Sequence, residues 1–186
     1  PAYTVSAIKG GQCMDTFDLY KDIQCRTNGE IYLGVVGPVR SGKSTFIKRF
    51  MDVLVLPKMT DEHAKERTVD ELPQSASGKS IMTTEPKFVP KEAAEIQLAK
   101  DVSVLVRLID CVGYMVEGAA GYMENGAERL VKTPWNEKEI PFTKAAEIGT
   151  KKVIHDHSTI GIVVTTDGSI GELPRNSYRA AEKKTI

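Results

Sequence analysis

The chain has 186 residues, the length of one domain, and a globule of that size buries about 70% of its unfolded surface, so its core needs no disulfide or metal staple. It is 41% hydrophobic and 27% charged, which excludes a disordered or collagen-like chain. Its 25 Lys+Arg balance 25 Asp+Glu, which argues against broad electrostatic binding of nucleic acid or anionic membrane and leaves self-association unopposed by net charge.

No apolar run approaches the 18 residues or more of a transmembrane helix. Cys13, Cys25 and Cys111 have no paired spacing, so neither a disulfide framework nor a zinc knuckle is expected, and a reducing cytoplasm is the expected compartment. Residues 1–13 lack the basic head and apolar core of a secretory signal. They are expected to be a leader or appended remnant, with one domain over 14–186.

In chain order, Phe17, Leu19, Tyr20 and Ile23 predict a short amphipathic helix over Asp15–Arg26, with Gly29 in a left-handed cap. Residues 30–36 (EIYLGVV) read as a buried strand. Phe46, Ile47, Phe50, Met51 and Leu54 recur at helical spacing over Lys43–Val55, which Pro57 ends. Residues 58–80 are expected to form a long mobile loop with one helical turn near Asp61–Arg67. Glu95–Leu98 and Val102–Ile109 read as two strands, the second alternating with the period of a sheet. Residues 113–142 read as a second long, Gly- and Pro-punctuated stretch. A helix over Thr143–His157, weakened by Gly149, a strand over Thr159–Thr166 and a last helix capped by Asn176 or Ser177 complete the pattern. Alternating strands and helices predict an α/β fold.

The strongest motif is Gly37-Pro38-Val39-Arg40-Ser41-Gly42-Lys43-Ser44, which matches G-x-x-x-x-G-K-[ST] between an apolar strand and an amphipathic helix. Backbone N–H groups of such a loop, with Thr45 following, aim at phosphate oxygens, and the helix adds its positive dipole end. Lys43 would reach the β and γ phosphates, and the Ser44 hydroxyl would coordinate Mg²⁺. A chance match in a chain of this size is on the order of one in a hundred, and the surrounding strand and helix, which the mechanism requires, raise the motif's weight further.

A carboxylate at a strand end is the expected partner of that metal. Residues 105–110 (LVRLID) end in Asp110, and Cys111-Val112-Gly113 completes D-x-x-G, in which the Gly113 N–H would contact the γ-phosphate. Cys111 stands where many motor-type and transporter-type ATPases carry Glu, which favours the branch containing the GTPases. Thr83 and Thr84 lie between the two motifs, where a threonine can put its hydroxyl on Mg²⁺ and its N–H on the γ-phosphate; Ser44, Thr84 and Asp110 are thus the metal candidates. Tyr114 occupies the place of a water-orienting Gln, so either turnover is slow or another group positions the water. Arg40 reads equally as a built-in arginine finger or as a surface charge. His155-Asp156-His157 reads as a solvated turn rather than a metal fragment, and Trp135 as a loop anchor.

Taken together, GVVGPVRSGKSTFIKRFMDVLVLP, DELPQSASGKSIMTTEPKFVP, RLIDCVGY, NGAERLVKTPW and PFTKAAEIGTKKVIHDHSTIGIVVTTDGSIG resemble the N-terminal part of the stage IV sporulation protein A family, from about Asp15 onward. These are spore-coat morphogenetic ATPases related to translation-factor-type GTPases. The resemblance implies a P-loop NTPase with a three-layer sandwich, ending before the last strands of such a sheet and exposing an apolar edge. It also implies ATP and Mg²⁺ as ligands, with Lys43, Ser44 and Asp110 as nucleotide and metal residues and Thr83 and Thr84 as γ-phosphate-sensing threonines. Hydrolysis would be coupled to self-assembly into a polymer, the basement layer of the spore coat. That layer forms in the mother-cell cytoplasm on the outer forespore membrane. Partners would be a small membrane-bound peptide, met by a region outside this chain, and other coat proteins, with no nucleic acid. A non-hydrolysing nucleotide-ordered scaffold and a GTP-dependent switch are the alternatives.

Overall fold

A computed structural model describes residues 29–73, 84–99, 102–119, 121–167 and 173–186. The helix expected over Asp15–Arg26, the leader 1–13 and Thr83 lie outside the described residues. Gly29 does adopt the left-handed conformation, with φ 79°.

The central sheet has four strands in the order β2-β3-β1-β8. β1 (Glu30–Val36) runs parallel to β3 (Val102–Asp110) on one side and to β8 (Ile160–Val163) on the other, and β2 (Lys87–Ala99) pairs antiparallel with β3. The register sets Val35 beside Asp110 and Val36 beside Val163, so the carboxyl ends of the three parallel strands share one edge.

Helices cover both faces. The stripe Ile47, Met51 and Val55 follows from helical spacing in α1 (Lys43–Phe50) and its π-helical continuation Met51–Val55. It packs on Leu33 and Val35 of β1, Val104, Val106 and Leu108 of β3, and Val89 and Ile96 of β2. Each such side chain contributes about 1.5–3 kcal/mol by leaving water. On the other face, α3 (Phe142–Lys152) and its π-helical end Val153–His157 cover Val36, Ile109 and Cys111, with Val153 fully buried. A third apolar cluster lies beyond the sheet edge: Val39, Tyr114, Val116 and Ala119 against Tyr178 and Ala181 of α4 (Arg175–Thr185). Among the described residues no helix is long and apolar enough to cross a membrane.

Several sequence expectations are corrected. The loop expected over 58–80 contains a ten-residue helix, α2 (Glu62–Glu71), because Asp61 accepts hydrogen bonds from the N–H groups of His63 and Ala64 at 2.9 and 3.2 Å and so satisfies two orphan donors. β2 starts at Lys87, eight residues before the expected strand. Pro90 cannot donate to a ladder, but β2 is a sheet edge and its register shifts between Val89 and Ala94, so the proline is tolerated there. Within 113–142 lie two hairpins, β4 (Met123–Glu124) with β5 (Ala127–Glu128), and β6 (Leu130–Thr133) with β7 (Asn136–Pro141). The first turns on Asn125-Gly126 with φ 50° and 79°, the signature of a type I′ hairpin turn. α4 begins at Arg175 after Pro174, and neither Asn176 nor Ser177 caps it. β8 ends at Val163, three residues before the expected Thr166.

Candidate functional site

β1 ends at Val36 and the chain turns through 37–42 into α1, whose first residue is Lys43. Gly42 is the N-cap, with φ 92°, and no side chain caps the helix, so no side chain competes for its first amides. This turn lies at the carboxyl ends of parallel strands, where β1 sends the chain to β3 on one side and β8 on the other. In open α/β sheets ligands bind in that crevice.

The two separated motifs meet here. The Ser44 hydroxyl donates to Oδ2 of Asp110 at 2.8 Å, across 66 residues of sequence. The other carboxylate oxygen, Oδ1, is buried with no protein partner, and so is the hydroxyl of Ser41. Lys43 is buried and its ammonium donates to the Pro38 carbonyl at 2.6 Å. Burial pushes the Lys43 ammonium below its ordinary pKa, against the opposing pull of Cys111 and Asp110. Burial likewise pushes the Asp110 carboxyl up, opposed by the Ser44 hydrogen bond and the Lys43 charge.

Gly113 closes the cradle. Its φ of 90° is a left-handed conformation, and a Cβ there would run into the Gly37 carbonyl and come within 2.6 Å of Lys43 Nζ. The next residue zips onto the loop as a strand would: Val39 N–H donates to Tyr114 O at 2.8 Å, and Tyr114 N–H to Gly37 O at 3.2 Å. The Tyr114 ring is buried with Val39, Val116 and Tyr178.

Of the residues singled out in the sequence, Gly37, Pro38, Val39, Ser41, Gly42, Lys43, Ser44, Asp110 and Gly113 come together. Arg40 sits half-buried within the loop with φ 60°, and Thr45 is exposed in the first turn of α1. Thr84 is buried three residues before Lys87, which is paired with Asp110, so it approaches the same edge within about 10 Å of chain. Cys111 is a buried free thiol that donates to Val35 O at 3.5 Å; burial pushes its pKa up, so it acts as a small apolar spacer. The sequence reading missed Tyr178, which packs beneath the loop. Its signal was the pair Tyr178 and Ala181 at i, i+3 in an otherwise polar helix.

The donor set fits Mg²⁺. This ion takes few protein ligands and keeps waters and substrate phosphates, and here a serine hydroxyl stands beside a buried carboxylate with one oxygen unpartnered. A separate open cavity of about 400 Å³ involves none of these residues. It is lined by Tyr32, Phe88, Arg107 and Asp156–Thr159, and its guanidinium already faces two rings and Glu30.

Comparison with known proteins gives a consistent family. The family described as "Stage IV sporulation protein A, ATPase domain" matches residues 14–186. The chain is 60% identical over 169 residues to Stage IV sporulation protein A of Clostridioides difficile (strain 630), covering 91% of this chain and 34% of that protein. It is 57% identical over 173 residues to the protein of that name in Bacillus subtilis (strain 168), and 56% identical over 173 residues to that of Bacillus anthracis. Each of those alignments covers 93% of this chain and 35% of the relative. The chain therefore spans about a third of the length of the curated relatives it matches. No solved structure matches it.

Proposed function

The chain belongs to the stage IV sporulation protein A family, and from that premise we propose that it is a P-loop NTPase domain that binds ATP with Mg²⁺ and hydrolyses it. The single observation that carries the reading is the Ser44–Asp110 hydrogen bond with Gly113 against Lys43, which joins the two halves of a triphosphate site. Helices on both faces of a sheet with a parallel centre support the three-layer architecture.

The residues would act as follows. Amides of the loop and of the first turn of α1 receive phosphate oxygens, with the helix dipole behind them. Lys43, now held on the Pro38 carbonyl, turns to the β and γ phosphates, and an anion there reverses the burial penalty on its charge. Ser44 and Asp110 would hold Mg²⁺, which supplies neutralisation of charge across the phosphates. Thr83, Thr84 and the Gly113 N–H would sense the γ-phosphate, and its loss would release the segments that carry them.

In the whole protein this cycle would drive self-assembly into the basement layer of the spore coat, in the mother-cell cytoplasm at the outer forespore membrane. A membrane-bound peptide, met outside this chain, and other coat proteins would be the partners. The family name supports the sporulation role, and the balanced charge leaves self-association unopposed.

The test is phosphate release by the full-length protein with ATP and with GTP. Lys43→Ala is expected to lower turnover by about a hundredfold or more. Equal turnover by that variant would overturn the proposal, and preference for GTP would make the protein a GTP-dependent switch. A second reading, a nucleotide-ordered scaffold, is favoured by Tyr114, whose ring is committed to an apolar cluster instead of to positioning water. Thermal stabilisation by nucleotide with no phosphate release would select it.

A further inference from the structure

Gly149 stands in the interior of α3, where a glycine costs about 1 kcal/mol relative to alanine. It is buried along the same stripe as Ala145, Ala146 and Thr150, so neither solvent exposure nor a helix end explains it. Its surroundings do. A Cβ at this position would come 2.8 Å from the carbonyl oxygen of Thr84, 3.7 Å from Cδ of Pro86 and 3.7 Å from Cζ2 of Trp135. A Cβ that close to a backbone oxygen cannot be accommodated by a side-chain rotation, so the backbone of one segment must shift.

Two separate parts of the chain, the segment 84–86 and Trp135, thus converge on one bare spot of helix. The segment 84–86 is tethered at its far end, because the next residue, Lys87, pairs with Asp110. Pro86 fixes its own φ and keeps Glu85 out of the helical region. Trp135, at the turn between β6 and β7, walls the other side. Its Nε1 is buried without a hydrogen bond, and the Lys152 ammonium of α3 lies 5.9 Å from its ring centre.

We propose that Gly149 is a positioning residue for Thr84, with Trp135 as its lateral buttress. The absent side chain sets how close the Thr84 backbone sits to α3, and thereby where Thr84 stands relative to Asp110. The inference rests on the nucleotide-site reading above. It predicts a split that ordinary packing would not produce. By helix propensity alone, Gly149→Ala should be harmless or stabilising. As a positioning residue, it should cost chemistry and spare binding, because the loop, Lys43 and Ser44 are untouched.

The experiment compares wild-type, Gly149→Ala and Trp135→Ala full-length proteins in steady-state ATP hydrolysis, MgATP binding and intrinsic fluorescence. Trp135 is the only tryptophan in this chain, so in a full-length protein with others a Trp135→Phe reference isolates its signal. Gly149→Ala is expected to lower kcat by about tenfold or more, as displacements near 1 Å do, with KM and MgATP affinity changed by less than about threefold. Its Trp135 emission is expected to shift as the Thr84 segment is displaced. If Gly149→Ala does not fold, Trp135→Ala carries the test, with the same expected drop in kcat at near-constant KM. Wild-type kcat in whichever variant folds, or a loss confined to KM, overturns the positioning role while leaving the nucleotide site standing. Absence of MgATP binding by the wild type overturns both.

Discussion

Asp110 and Lys43 are where folding and function pull against each other. Each is an ionisable group in a buried setting, and burial is the largest influence on both: it raises the carboxyl and lowers the ammonium. A carboxyl raised in the folded state favours its neutral form there. Its ionised form therefore lowers stability above the folded pKa, and this penalty fades as pH falls through that pKa toward the unfolded value. Asp110→Asn keeps an acceptor for the Ser44 hydroxyl and removes the charge. At neutral pH it is expected to raise Tm, by about 2–4 °C for each kcal/mol of relieved desolvation, while Mg²⁺-dependent nucleotide affinity falls. Thermal melts of both proteins across the acid range check this, and the gap in Tm should narrow as pH drops. A constant gap would mean that ionisation of Asp110 is not its source.

At the scale of elements, α3 covers one face of the sheet and faces the Thr84 carbonyl, and its start is held from outside. Its N-cap is Pro141, which offers no side-chain acceptor. The carboxylate of Glu128, from β5, accepts from the Thr143 N–H at 2.8 Å and from the Thr143 hydroxyl, placing a negative charge at the positive end of the helix. The preceding amide, Phe142 N–H, donates to Arg129 O at 2.9 Å, and the Arg129 guanidinium lies 4.7 Å from the centre of the Phe142 ring. The hairpin that ends in Glu128 thus serves as a detached cap. Glu128→Ala is expected to destabilise the protein by about 1 kcal/mol, a cap's usual worth, and Glu128→Gln by less. Chemical denaturation of the two variants measures the difference. Asn125-Gly126 advertises that hairpin in the sequence, but no local signal says that its far side reaches fifteen residues on to close a helix.

For the whole molecule, the decisive arrangement is a sheet edge at which β1, β3 and β8 all end, with the turn over 37–42 between α1 and that edge. A ligand taken up there and not by the unfolded chain stabilises the entire fold. MgATP at a hundred times its Kd is expected to add about 2.7 kcal/mol, or about 5–10 °C in Tm. Chelation of the metal or Lys43→Ala should abolish most of that shift in a thermal-shift titration. Among the described residues, β8 is the sheet's other edge, and its Ile160 and Val163 are 44% and 48% exposed.

The amino-acid sequence by itself determined the elements whose causes are local. Those are the apolar run of β1, the Ile47 and Met51 positions of the helical stripe (Leu54, read on the same stripe, is 45% exposed and Val55 is buried instead), the alternation of β3, and the Gly37–Ser44 turn from β1 into α1, each set by a spacing of a few residues. Asp61 is a local signal too, and it outweighed the polar composition that suggested a loop. Only the tertiary structure decided that Pro90 lies on an edge strand, that Glu128 caps a distant helix, that Tyr178 underlies the loop and that Gly149 faces the Thr84 carbonyl. The physical reason is the same in each case. What these residues do depends on which atoms stand within a few ångströms of them. Those atoms belong to segments far away along the chain, brought near by the burial of the sheet and not by any pattern at the residue itself.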